Sequence, residues 1–307
     1  MSGSRPTAPA HTFPRQALGL LAALTLGWGF NWPVMKIVLT EMAPLHFRSW
    51  CLFAGALGVF AIAWLYRLQI RVPRGAWPRL VLIAFFNMTG WNILAVYGIP
   101  LLDSGRAAIL GYTMPVWGVL LGAIVLKEPV TAPRALGVAL GMAGMGFLLA
   151  GEVHALGRSP LGASLMIGAA FSWAVGTVLM KRLPVAMPAS SFTAWQMMIG
   201  GVPILLGALF FEQGSFAFWE LSLWPALGVL YNVVVAFVFC QWAWIKIALI
   251  APIGVSTLSS LMVPVVGVFS GMALLGERPH WQDCVALLLV MAALVTVMPG
   301  PRLMFRR

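Results

Sequence analysis

Residues 112–128 read YTMPVWGVLLGAIVLKE, and residues 261–277 read LMVPVVGVFSGMALLGE. Superposed without a gap at a shift of 149, Pro115, Val116, Gly118, Val119, Gly122, Leu126 and Glu128 meet Pro264, Val265, Gly267, Val268, Gly271, Leu275 and Glu277. Seven identities in 17 positions exceed what shared apolar composition yields. Working outward, a shift of 145 pairs Trp28 with Trp173, Met35 with Met180, Lys36 with Lys181 and Asn87 with Asn232. The matches keep chain order, which is the mark of an internal duplication.

What is duplicated follows from composition. The 307 residues are 61% hydrophobic and 9% charged, whereas soluble domains are roughly 45–50% apolar and about 25% charged. The apolar residues fall in runs of about twenty, the length a helix needs to cross ~30 Å of hydrocarbon; a membrane barrel would show shorter alternating segments. The runs predict helices near 16–38, 45–66, 78–100, 104–126, 133–151, 160–180, 189–211, 223–247, 252–275 and 282–299. The expected fold is therefore an all-α integral membrane protein of ten transmembrane helices. Five helices per copy is an odd number, so the second copy enters the membrane from the opposite side. Two inverted five-helix repeats, 16–151 and 160–299, are expected around a central cavity, with an N-terminal tail at 1–15 and a basic tail at 300–307.

The net charge of +11 sorts by topology. With the N-terminus inside, only Lys36, Arg48, Arg106, Arg158 and Arg278 of the 19 basic residues fall outside, and only Glu128 of the eight acids falls inside. The positive-inside rule then places both termini in the cytoplasm. A basic inner face suits anionic lipid, so the lipid bilayer is the expected partner and nucleic acid is not. Cys51, Cys240 and Cys284 lie inside predicted helices without metal-type or disulfide spacing. The first apolar run carries Trp28 and Trp32 and lacks a cleavage pattern, so it reads as a retained helix.

The stretch Trp28-Gly29-Phe30-Asn31 ending in Lys36, Arg48, and the run Tyr112-Thr113-Met114-Pro115 ending in Lys127-Glu128, with echoes from Trp173 to Lys181 and Pro264 to Glu277, resemble an EamA-type member of the drug/metabolite transporter superfamily. The resemblance covers about 16–299, and its motifs define the superfamily rather than a substrate. The aromatic-rich membrane segments most resemble the YddG-like exporters of aromatic and other amino acids. The resemblance implies a small-molecule solute moved by alternating access, in the export direction, across a bacterial inner membrane. It implies no cofactor, and it leaves the oligomeric state open, a monomer included.

Candidate site residues follow from polarity and aromaticity at membrane depth. Amides are costly in hydrocarbon without partners, so Asn87 and Asn232 are expected to face inward; Asn31, in the helix-one stretch, is a further substrate-binding candidate. Phe86 and Tyr231 precede the two equivalent asparagines, and Trp91 lies one turn beyond Asn87. With Trp28, Tyr112, Trp173, Trp242 and Ser256 they are the expected substrate-binding set, aromatic faces holding an apolar side chain and polar groups holding its head. Packing alone, or amides that merely join helices, accounts for the same residues on the bland reading. Pro115 and Pro264 each crowd the carbonyl four residues earlier and are candidate hinges or kinks. Lys36, Arg48 and Arg106 are candidates to meet a substrate carboxylate, with snorkelling to headgroups the expected role because each lies close to an interface, and Glu128 and Glu277 are expected to cap helices or form ion pairs. Without cations at the midplane, a phosphorylated or nucleotide-linked substrate ranks below an amino acid. An intramembrane enzyme ranks lower still, because no nucleophile–base pair, acid pair or metal constellation appears: no catalytic residue and no metal ligand is expected.

Overall fold

The computed structural model describes the backbone of residues 15–154, 160–250 and 253–297, and side chains over 19–148, 160–247 and 262–296. The expected tails, and the side chains of Arg158 and Ser256, lie outside the described residues. What is described is helical, without a strand. We number the rods α1 (Arg15–Val38), α2 (Pro44–Leu65), α3 (Trp77–Leu101), α4 (Ser104–Val125), α5 (Ala132–His154), α6 (Leu161–Arg182), α7 (Ala189–Phe211), α8 (Leu223–Ile247), α9 (Ile253–Leu275) and α10 (Trp281–Val297). Among the described residues six of these, α2, α3, α4, α6, α7 and α8, are long and apolar enough to cross a membrane; α5, α9 and α10 contribute shorter apolar stretches.

Three rods are composite. In α3 a π-helical segment over Phe85–Gly90 separates two α-helical parts, and in α8 a π segment over Asn232–Phe239 does the same. These segments sit at corresponding places in the two halves, beside the paired Asn87 and Asn232. The wider i→i+5 closure of a π turn shifts the angular register of every residue beyond it. Rod α4 is interrupted by turn residues Tyr112 and Thr113, after which a second helix begins at Met114 with Pro115 in its first turn, where its missing N–H costs nothing. Its counterpart α9 runs α-helical through Pro264. Both end alike: Lys127 (φ 55°) and Gly276 (φ 66°) are left-handed, and the next amide, of Glu128 or Glu277, folds back to the carbonyl of Gly122 (3.2 Å) or Gly271 (3.3 Å). The caps place both carboxylates.

The packing repeats under exchange of rod n with rod n+5. Rod α1 lies along α9, as α6 lies along α4; α3 packs on α6, as α8 packs on α1; α2 and α7 pack on each other, and so do α5 and α10. Small residues allow the close approach: a Cβ on Gly267 would sit 2.8 Å from that of Ala108, and Gly29 is pressed against Val266. Bonds between helix ends show which ends share a face. Lys36, near the end of α1, donates to Glu277 beyond α9 (2.9 Å) and to the Leu102 carbonyl after α3 (2.9 Å). The Ser104 N–H that opens α4 also donates to Glu277 (2.8 Å), and Gly162 at the start of α6 abuts Leu101. Beyond α7, Glu212 accepts the Leu45 N–H at the start of α2 (2.8 Å). On the opposite face Arg182 donates to the Val125 carbonyl (3.1 Å), Lys181 pairs with Glu128 (3.3 Å), and the Trp195 indole donates to the Ile70 carbonyl (2.8 Å). Thus α1 ends on the face where α6 begins.

Candidate functional site

A cavity of about 150 Å³ opens between the two sets of rods. Rod α1 contributes Trp28, Asn31, Trp32 and Met35; α6 contributes Trp173, the repeat counterpart of Trp28. From α3 come Met88, Trp91 and Asn92, the last two just past the π segment, and from α8 come Ala236 and Phe237, within its π segment, and Gln241. Tyr112 and Met114 line it at the break in α4, and Arg48 lines it from α2. The aromatic surface is braced: Trp91 and Trp173 meet edge to face at 5.5 Å, and the Trp28 indole donates to the Ala236 carbonyl at 3.1 Å. An apolar or aromatic group fits such walls, because it gains buried area and edge-to-face contacts there. No carboxylate is among the described lining residues.

Of the predicted set, Trp28, Asn31, Trp91, Tyr112 and Trp173 are brought together at this cavity, and Phe86, Asn87, Tyr231, Asn232 and Trp242 are placed elsewhere. The Asn87 amide N–H donates to Gln196 Oε1 of α7 (3.3 Å), with its oxygen wedged against Gly176 of α6, so the residue joins three rods. Asn232 donates back to the Gly228 carbonyl (3.0 Å) inside α8. The Tyr231 hydroxyl donates to the Gly27 carbonyl (2.8 Å), the Phe86 ring packs on Phe85, and Trp242 packs with Phe239 beside Leu24. Ser256 lies in α9, its side chain outside the described residues. Pro115 follows directly on the break in α4, whereas Pro264 interrupts nothing.

Arg48 corrects the sequence reading in two respects. It does not snorkel: it is 3% exposed, turned in against Met35 of α1, Phe47 and Cys51 of its own rod and Phe237 of α8. A cation therefore does line the cavity. Its neighbours are soft: Nη2 meets the Met35 sulfur at 2.6 Å, the Cys51 thiol lies beside it, and the rings of Phe47 and Phe237 lie 5.0 and 5.9 Å from Cζ. Met35, Met88 and Phe237 were also missed; the signal for Phe237 is the π register, which an α-helical projection does not carry. Lys36 likewise does not reach for headgroups but forms the ion pair with Glu277, on the face that also holds the buried Arg106–Asp283 pair (2.7 Å).

Long apolar helices and an aromatic cavity between two exchange-related sets of rods define a multi-pass membrane protein built to hold a solute. The chain belongs to the EamA-like transporter family, whose profile matches it twice, over residues 16–150 and 160–298. It is 27% identical to the uncharacterized transporter YoaV of Bacillus subtilis over 85% of this chain and 89% of that one. It is 28% identical to a probable amino-acid metabolite efflux pump of Salmonella typhimurium over 90% of this chain and 93% of that one. A crystal structure of a protein at 18% identity superposes with a TM-score of 0.65, covering 92% of this chain and 96% of that one, which extends the likeness of fold.

Proposed function

We propose that this transporter works by alternating access, as ten transmembrane helices in two inverted five-helix repeats around the cavity. We propose further that it exports amino acids with aromatic or other apolar side chains, and similar small amphipathic metabolites, across a bacterial inner membrane. The observation that carries the reading is that Trp28 and Trp173, equivalent residues of the two halves, line one cavity. The name of the Salmonella relative favours amino-acid metabolites and efflux. Both termini are cytoplasmic on this reading: the face with Lys181, Arg182 and Arg134 is the inner one, and the face where Glu41, Glu212, Glu277 and Asp283 take part in bonds is the outer.

The two mouths differ in a way that supports alternation. Lys36–Glu277 and Lys181–Glu128 are counterparts under repeat exchange, yet the first is 2.9 Å with side chains 26% and 10% exposed, and the second 3.3 Å with 62% and 36%. Gly267 and Gly271 are packed, while a Cβ on Gly118 would meet nothing within 4 Å among the described residues. A closed outer mouth and a loosened inner one describe a single access state, whose mirror exchanges the two arrangements. Arg48 favours one second reading, an anionic substrate of another class such as a phosphorylated metabolite; a single guanidinium suits a single negative charge better than a phosphate dianion. Uptake of labelled phenylalanine into proteoliposomes, competed by amino acids, cationic drugs and sugar phosphates, separates them. Inhibition by aromatic and apolar amino acids is expected; inhibition by sugar phosphates alone would overturn the assignment.

A further inference from the structure

Three of the seven buried side-chain polar atoms without a hydrogen-bond partner among the described residues belong to residues of the one cavity: Arg48 Nε, Asn31 Oδ1 and Asn92 Oδ1. Their chemistry is complementary. Arg48 offers an N–H of a charged fork, and the two asparagines offer carbonyl oxygens. The orientation of the Asn92 amide is set by its own N–H, which donates to the Met88 carbonyl at 2.8 Å and leaves the oxygen as the free end. A buried donor and acceptors left unpaired on residues that wall a largely apolar cavity cost stability unless a bound molecule completes them.

We infer that these atoms read the head group of a zwitterionic α-amino acid: Arg48 is the carboxylate anchor, and Asn31 and Asn92 accept from the ammonium. The assignment rests on the amino-acid reading above and adds the residues that tell an amino acid from its relatives. Arg48 is suited to the first role because nothing around it competes: a thioether, a thiol and two ring faces are weak partners, and a carboxylate takes a guanidinium fork with two parallel bonds. The ammonium goes to amide oxygens because no described lining residue is an acid, so the head group is met by one full charge and by dipoles. A site built this way rejects molecules that lack either end, since a protein group is then left unpaired.

The test measures binding to the full-length purified protein of phenylalanine, phenylalanine amide, 3-phenylpropionate and phenethylamine. The protein should favour phenylalanine over each analogue by roughly tenfold or more. Arg48→Gln should weaken phenylalanine by about that factor while leaving the amide within about twofold, erasing the preference between them. Arg48→Lys keeps the charge but not the fork, so it should weaken phenylalanine alone, and it carries the test if Arg48→Gln does not fold. Asn31→Leu should erase the preference for phenylalanine over 3-phenylpropionate. An unchanged ratio of phenylalanine to its amide in the Arg48 variants overturns the anchor even if amino acids are transported. A protein that prefers 3-phenylpropionate, and loses it in Arg48→Gln, supports the anchor and sinks the amino-acid reading.

Discussion

An amide in a low-dielectric interior needs a partner, and Asn87 finds Gln196 at 3.3 Å across the contact of α3 with α7. Its removal should loosen the bundle without touching the solute. Asn87→Ala is expected to lower the thermal midpoint by the equivalent of roughly 0.6–1 kcal/mol, the usual worth of an interhelical bond in membranes, with KM for transport unchanged. Trp173→Ala does the reverse: it strips the ring that meets Trp91 at 5.5 Å and should raise KM about tenfold, given 0.5–1.5 kcal/mol per aromatic pair beyond the buried area. Melting curves and proteoliposome kinetics on both variants check the division; a raised KM with unmoved melting in Asn87→Ala would place that amide at the site. The sequence distinguishes such residues from lipid-facing ones, but not from each other. Polarity sends both inward, and whether inward means a cavity or a neighbouring helix depends on angle. The π segments at Phe85–Gly90 and Asn232–Phe239 reset that angle, so Trp91 reaches the cavity and Asn87 turns to α7. Arg48 was misread for another reason: part of what surrounds it comes from another rod far along the chain, the Phe237 ring of α8 lying 5.9 Å from its Cζ.

Rods α4 and α9 were legible as a pair from their shared proline, glycines and terminal glutamate, and the caps at Lys127 and Gly276 give that likeness its purpose, since they aim Glu128 and Glu277 at opposite mouths. Their difference was not legible, because helices that share a motif hold different states through their partners. Breaking the tight mouth should shift the balance between states. Glu277→Gln deprives Lys36 of its counter-ion and should cost the closed outer mouth roughly 1–3 kcal/mol. A single cysteine at Ala95, in a background without Cys51, Cys240 and Cys284, should then react several-fold faster with an impermeant thiol reagent added outside. Glu128→Gln, breaking a pair that water already screens, should change little. Equal labelling in Glu277→Gln and its parent would remove the pair as a gate. The same face carries a pH dependence. The hydroxyl and amide of Ser222, the residue just before α8, hold the Glu41 carboxyl below the usual carboxylate range. A lowered folded pKa means that the bond stabilises fully above the unfolded value of about 4.3 and is lost as pH falls through the folded one. Melting temperatures should therefore drop on acidification into that window, and drop less in Glu41→Gln.

Taken as one molecule, the protein presents the same contacts twice, once tighter and once looser among the described residues. Around α9 the glycine face is filled: Gly267 lies against Ala108 and Trp32, and Gly271 against Glu277 and Ser104. Around α4, a Cβ on Gly118 would meet no atom of the described residues within 4 Å, and one on Gly122 would stand 3.7 Å from Glu128. If the halves exchange conformations during transport, Gly118 must pack in the opposite state as Gly267 packs in this one. A larger side chain at each position therefore has a different consequence. A Cβ added at Gly118 meets no atom of the described residues within 4 Å here, so the Gly118→Leu variant should fold, melt near the parent temperature and bind solute, yet it should be unable to close the inner mouth and should transport at under about a tenth of the parent rate, overpacking of a close helix contact costing about 1–3 kcal/mol. Gly267→Leu collides with Ala108 at once, so it should hold the outer mouth apart, expose Ala95→Cys to outside reagent, and also fail to transport. Paired measurements of melting, binding and flux decide the matter: a Gly118→Leu protein that carries solute at the parent rate would mean that α4 never packs as α9 does, and exchange between mirror states could not be how this transporter works.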